Sequence, residues 1–120
     1  MANILIIDDE ASITAAFATF FRQHGAHTVV EAHSAEEGIA AWRRTRPDLT
    51  LLDVRLPDAT GFDVLDALRE HDPVVIMITA FGDVPMAVRA LQSGAENFLT
   101  KPVDLALLRL AAERGLEKSA

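Results

Sequence analysis

The sequence has no cysteine, which excludes a disulfide framework and any thiolate metal site. It has no apolar run approaching the ~20 residues that a membrane-spanning helix needs. Positive charge is scarce, with 11 Lys and Arg against 18 Asp and Glu, a net charge of −7. Binding to phosphate backbones rests largely on Lys and Arg, so nucleic acid and anionic membrane are disfavoured as direct partners. Repeats, low-complexity tracts and linkers are missing too, and residues 1–120 are expected to form one domain. The N-terminus enters an apolar stretch at once, leaving no place for a signal peptide, and a cytoplasmic location is expected. The four histidines, His24, His27, His33 and His71, fall at helix ends and in polar stretches. No ligand spacing links them, so each is expected at the surface and none as a metal ligand.

What is present is a repeated pattern. Leu49 to Leu52 is a short apolar run with no polar alternation, the habit of a strand buried on both faces of a parallel sheet. It ends at Asp53 and is followed by a loop with Pro57, Asp58 and Gly61. Asn3 to Ile7 has the same form and stops at Asp8-Asp9-Glu10. Val74 to Ile78 stops at Thr79, and Asn97 to Thr100 stops at Lys101-Pro102. Thr28 to Val30 supplies one more short strand.

Helical spacing fills the intervals. Ala11 to His24 carries a stripe of Ile13, Phe17, Phe20 and Phe21, closed by Gly25. Ser34 with Glu37 predicts a capping box and opens a helix with Ile39 and Trp42 inward. Helices follow around Phe62 to Glu70, after Asp83 with Pro85 in the first turn, and after Asp104 to about Leu116. Strict alternation of five strands and five helices predicts a doubly wound α/β fold with a five-stranded parallel sheet.

In such folds chemistry sits just past the carboxyl ends of the strands. An acid pair, an acid, a hydroxyl and an ammonium would therefore converge on one edge. Asp8, Asp9 and Asp53 crowded together would repel one another, and a hard divalent cation with oxygen ligands relieves that penalty, Mg²⁺ rather than Zn²⁺. Asp53 can attack phosphorus to give an acyl phosphate. Lys101 can reach phosphate oxygens, and Thr79 can donate a hydroxyl hydrogen bond to them. The expectation is a phosphoryl-transfer site made without a glycine-rich loop.

Asp8-Asp9, Leu51-Leu52-Asp53, Leu56-Pro57 with Gly61, Thr79-Ala80 and Lys101-Pro102 occur in an order and spacing that resemble a response-regulator receiver domain of bacterial two-component signalling. The run from Thr79 to Val88, followed by Gly94-Ala95, is similar to receivers of the nitrogen-regulator and FixJ-like groups. The resemblance implies a flavodoxin-like (receiver) fold and a cytoplasmic switch, not an enzyme, phosphorylated at Asp53 by a sensor histidine kinase or phosphotransfer protein in a phosphorelay. It implies Mg²⁺ held by Asp9, Asp53 and the carbonyl of Arg55, with Asp8 acting through a coordinated water. Lys101 would pair with the phosphoryl group, Thr79 would be the switch hydroxyl and Phe98 the switch aromatic, inward or mobile even before phosphorylation. The Lys101-Pro102 bond is expected to be cis.

Arg55 and Phe81 occupy the two positions that tune phosphoryl lifetime in this family. Arg55 is expected to pair with the phosphoryl oxygens and Phe81 to screen them, making hydrolysis slow. Two other readings stand beside this one. An Asp-nucleophile phosphatase of the haloacid-dehalogenase type would need a D-x-D motif after the first strand, and Asp8-Asp9-Glu10 lacks that spacing. A receiver-like module that works without phosphorylation would be favoured by a missing acidic or catalytic position, and none is missing. In the last helix Leu105, Leu108, Ala112 and Leu116 form the stripe expected to pack on the sheet. Leu107 and Leu110 fall outside it and are expected to be exposed, meeting a second copy or an effector domain.

Overall fold

The run Leu49–Asp53 is a strand in which all five residues are buried, and the rest of the chain is layered around it. A computed structural model describes residues 1–119. Its elements are β1 (Asn3–Ile7), α1 (Ala11–Gln23), β2 (Thr28–Ala32), α2 (Ala35–Thr45), β3 (Leu49–Asp53) and α3 (Gly61–Leu68). A 3-10 turn (Arg69–His71) leads to β4 (Val75–Thr79), α4 (Val84–Gln92), β5 (Asn97–Thr100) and α5 (Leu105–Ser119). All strand pairs are parallel, in the order β2-β1-β3-β4-β5. This is the flavodoxin-like receiver fold, with β1 and β3 meeting where the strand order reverses. No helix among the described residues is long and apolar enough to cross a membrane.

Strand periodicity sorts the core into two layers. Leu5, Ile7, Leu52 and Met77 face Trp42, Phe62, Leu65 and Leu68 on one side. Ile4, Ile6, Leu51 and Ile76 face Phe17, Phe21, Leu108 and Ala112 on the other. Each fully buried Leu, Ile or Phe contributes roughly 1.5–3 kcal/mol of transfer free energy, so both faces of the sheet share in holding it. Among the described residues, the one buried side-chain polar atom without a hydrogen-bond partner is the Thr50 hydroxyl.

Local signals set most boundaries. Gly25 and Gly94 take positive φ after α1 and α4, and Asp83 accepts from the Met86 amide at 2.8 Å to start α4. Three expectations need correction. At α2, Ser34 accepts from the Glu37 amide at 3.1 Å, but Glu37 turns to His33 at 3.7 Å and no reciprocal box forms. The reciprocal capping box is at α3, where Thr60 accepts from Asp63 and Asp63 from Thr60.

The second correction is the phase of α5. Leu105 is 48% exposed, and the buried residues are Leu108, Ala111, Ala112 and Gly115. The helix approaches the sheet through small residues, with Gly115 close to Leu49 and Val74, and this rotation turns Leu105 out. Leu107 and Leu110 are exposed as expected, at 54% and 45%. The third concerns the histidines, three of which are half-buried. His27 accepts from the Ala2 amide, His33 lies against Thr14 and His71 stacks on Trp42.

Gly61 shows how the fold serves the strand end. Its amide donates to the Val54 carbonyl at 2.7 Å, and an added Cβ would lie 2.5 Å from the Asp53 carbonyl and 2.9 Å from Met77 Cε. Backbone cannot yield as a flexible side chain can. Gly61→Ala is therefore expected to cost about 1–3 kcal/mol, read as a lower urea midpoint. Unchanged stability would show that the β3–α3 loop can shift freely.

Candidate functional site

The sheet register brings the four strand ends together. Ile7 lies beside Leu52, Asp53 beside Ile78 and Thr79 beside Thr100, so the residues that follow β1, β3, β4 and β5 open on one edge. Asp8, Asp53 and Thr79 are buried, at 3%, 6% and 1% exposure. The loops carrying Asp9, Arg55, Phe81 and Lys101 line a cleft of about 230 Å³ that reaches Asp53 and Thr79. A larger groove of about 600 Å³ lies elsewhere, among Arg46, His71 and Lys118. There Lys118 is paired with Glu96 at 2.9 Å and Arg46 is hydrogen-bonded to His71 at 3.2 Å.

Lys101 holds the site together. Its Nζ donates to Asp8 Oδ2 at 2.6 Å and to Asp53 Oδ2 at 3.1 Å, with Glu10 Oε1 at 3.9 Å. The Lys101-Pro102 bond is cis, and the Lys101 amide donates to the Thr79 carbonyl at 2.9 Å. The second Asp53 oxygen accepts from the Arg55 amide at 3.1 Å. Asp8 Oδ1 accepts from the Glu10 amide at 2.9 Å, and Thr79 Oγ1 from the Phe81 amide at 3.3 Å.

The acidic grouping differs from the expected one. The carboxylate oxygens lying within 4.8 Å of one another belong to Asp8, Asp9 and Glu10, while Asp53 joins them through Lys101. Glu10, the third acid of its run, is exposed and adds a carboxylate to this group. Arg55 also differs. Its guanidinium lies over the Phe81 ring, 4.3 Å from the centroid, a cation–π contact across the mouth of the cleft. Phe98 is half-buried and packs on the core, with its ring against the Gly82 backbone.

Burial pushes the Asp53 carboxyl above the usual aspartate range. The Arg55 amide and Lys101 pull the other way, the Asp8 charge adds to the rise, and desolvation decides the direction. Burial works against the Lys101 ammonium, but its hydrogen bonds to Asp8 and Asp53 outweigh that and hold it above the ordinary 10.5. Lys101 thus stays charged while Asp53 is a carboxylate held at some cost. A poised carboxylate, a fixed ammonium and a hydroxyl on one cleft form a set that can accept and hold a phosphoryl group.

This geometry yields a stability prediction. An aspartate with a raised folded pKa favours the unfolded chain whenever it is ionised. That burden is full above the folded pKa and fades as pH falls toward the unfolded value near 4. Asp53→Asn removes the charge and keeps an acceptor for Lys101. It is expected to raise the unfolding free energy by on the order of 1 kcal/mol at pH 7, with the gain shrinking toward pH 4. Urea melts at the two pH values measure this, and a variant less stable than the parent at pH 7 would mean that the Lys101 pair outweighs burial.

Comparison with known proteins agrees with this geometry. The family model described as response regulator receiver domain matches residues 4–113. The chain is 37% identical over 121 residues to the regulatory protein AtoC of Escherichia coli (strain K12), covering 96% of this chain and 25% of that protein. It is 35% identical over 121 residues to the transcriptional regulatory protein GlrR of the same organism, covering 99% and 27%. Among solved structures, the signal receiver domain of a putative LuxO repressor protein from Vibrio parahaemolyticus superposes with a TM-score of 0.92 at 30% identity, covering 98% of this chain and 92% of that one. NtrX from Brucella abortus does so with a TM-score of 0.89 at 34% identity, covering 98% and 28%. The chain spans about a quarter of the length of the curated relatives it matches.

Proposed function

The chain belongs to the response regulator receiver family, and from that premise we propose that it is a phosphorylation switch with Asp53 as the acceptor. The observation that carries this reading is the hold on Asp53, one oxygen on Lys101 and the other on the Arg55 amide. An Asp53 oxygen forms the new O–P bond as the N–P bond of a donor phosphohistidine breaks, and the bonding pair leaves on the donor imidazole. Lys101 then balances charge on the phosphoryl oxygens, and Thr79 turns its hydroxyl toward them. Space vacated by Thr79 lets Phe98 move deeper, changing the face formed by α4, β5 and α5. The chain modifies only itself, so it acts as a switch rather than an enzyme.

The donor set fits a hard divalent cation, since the oxygens of Asp8 and Asp9 converge and no histidine or thiol intrudes. Asp8, Asp9, Asp53 and the Arg55 carbonyl would hold Mg²⁺, whose chemistry here is to neutralise charge on the phosphoryl group. A sensor histidine kinase or phosphotransfer protein as donor, and a cytoplasmic setting, follow from the same reading. The run Thr79 to Val88 with Gly94-Ala95 supports placing the chain in the nitrogen-regulator/FixJ-like group.

With Mg²⁺ and a small phosphodonor, intact mass should rise by one phosphoryl group, and Asp53→Asn should take none. Equal labelling of parent and variant would sink the reading. The same assay followed in time tests the Arg55–Phe81 pair, which we expect to screen the acyl phosphate from water. Arg55→Asn with Phe81→Glu should speed decay by ~10-fold or more, about 1.4 kcal/mol in barrier, and an unchanged rate would refute the screen.

The exposed pair Leu107 and Leu110 is proposed to meet a second copy or an effector domain. Burying both would stabilise association by ~2–4 kcal/mol before ordering costs. Leu107→Glu with Leu110→Glu should weaken self-association in sedimentation, or output coupling in the longer protein, while Asp53 still labels. A variant that associates and signals like the parent would rule this surface out.

A further inference from the structure

Asp58 lies five residues past Asp53, in a loop whose two sides are pinned together. Arg55 and Thr60 form an isolated antiparallel bridge, the Leu56 amide donates to the Ala59 carbonyl at 3.2 Å, and the Gly61 amide donates to the Val54 carbonyl at 2.7 Å. Leu56 and Ala59 rest on the core. From the tip of this loop the Asp58 carboxylate reaches 23 residues back along the chain. Its Oδ1 accepts from the Ala35 amide at 2.8 Å and its Oδ2 from the Glu36 amide at 2.9 Å.

These are two of the orphan amides that open a helix. A carboxylate there is favoured by the charge-assisted hydrogen bonds and by the helix dipole. The bonds hold the Asp58 carboxyl below the usual aspartate range. The α2 terminus already has its own cap in Ser34, which accepts from the Glu37 amide at 3.1 Å. Asp58 therefore does something the local cap does not: it ties α2 to the loop that follows the acceptor strand. At the near end of that loop the Arg55 amide holds Asp53 Oδ1.

We propose that Asp58 is a positioning residue for phosphoryl transfer, latching the β3–α3 loop to the N-terminus of α2 so that the Arg55 amide stays aimed at Asp53. It touches no reacting atom and acts through Arg55. The inference rests on Asp53 being the acceptor, and it adds a residue that the strand-end chemistry does not include. Misplacing a reacting group by a fraction of an ångström lowers the rate of the bound state more than the affinity for the donor.

The test compares Asp58→Ala with Ser34→Ala, since both remove a cap from the same helix end but only Asp58 reaches the loop. Both variants should lower the urea midpoint. Asp58→Ala should slow phosphorylation at saturating donor by about fivefold or more, with the half-saturating donor concentration moved less than about twofold. In the unphosphorylated protein it should also speed hydrogen exchange at the Arg55 amide by about tenfold. Ser34→Ala should leave both quantities within about twofold of the parent. Asp58→Asn keeps one acceptor oxygen and should fall between parent and Asp58→Ala. If the two alanine variants behave alike, or Asp58→Ala changes neither quantity, the latch is overturned. If the parent takes no phosphoryl group at all, the acceptor reading fails by itself and Arg55 exchange still decides the latch.

Discussion

The ammonium of Lys101, held between Asp8 and Asp53, is the interaction on which this structure depends. The strand ends place carboxylates at the edge of a tightly packed sheet, where water can offset little of their charge. Asp8 and Asp53 would repel each other there, and their burial would drive one of them to bind a proton. Lys101 enters from the end of β5, 48 residues past Asp53 in the chain, and supplies the opposite charge at 2.6 and 3.1 Å. Removing Lys101 would leave the buried carboxylates of Asp8 and Asp53 uncompensated, a change that typically costs about 3–5 kcal/mol, whereas neutralising Asp53 leaves Lys101 paired with Asp8. The same ammonium favours the ionised form of Asp53, while burial of the carboxylate makes that charge costly.

Around that contact the site is held unevenly. On the β3 side the loop carries a bridge, a backbone turn, the Gly61 contact and the Thr60–Asp63 capping box. On the β4 side the hold is slight. Phe81 is 61% exposed, and Ala90 is the only fully buried residue of α4. Arg89 reaches from α4 to the Phe62 ring, 3.9 Å from its centroid, and Arg55 lies on Phe81. Segments with few buried contacts open at the lowest free energy. A change at Asp53 meets a fixed loop on one side and a yielding one on the other.

The exposed apolar residues fit the same division. Val84, Val88 and Leu91 stand out from α4, and Leu105, Leu107 and Leu110 from α5. Single exposed leucines are ordinary, but these six are drawn from two helices. Of these two helices α4 is lightly packed, with Ala90 its one buried residue, whereas α5 presents apolar surface on one side while Leu108, Ala111, Ala112 and Gly115 are buried on the other.

The sequence by itself determined the element order, the parallel sheet and the edge on which the chemistry sits. Apolar runs that stop at Asp8, Asp53, Thr79 and Lys101 are local signals, and strand periodicity with right-handed crossovers leaves little choice of arrangement. Gly61 and the cis Lys101-Pro102 bond were legible through family resemblance, though the clash that makes Gly61 necessary was not. Only the tertiary structure decided the rest, because the rest depends on partners distant in the chain. The phase of α5 was misjudged because a hydrophobic stripe gives weight to Leu105 and none to Gly115, whereas close approach to the sheet favours the small residue. The capping box moved from Ser34 to Thr60 because Glu37 turned to His33, a contact that the capping pattern does not encode. Asp58 read as a turn residue until the fold set it against the first turn of α2. Lys101 could have faced any of four acids, and the register of β5 on β4 brought it to Asp8 and Asp53. Periodicity fixes which face a residue takes, and packing fixes which neighbour it meets there.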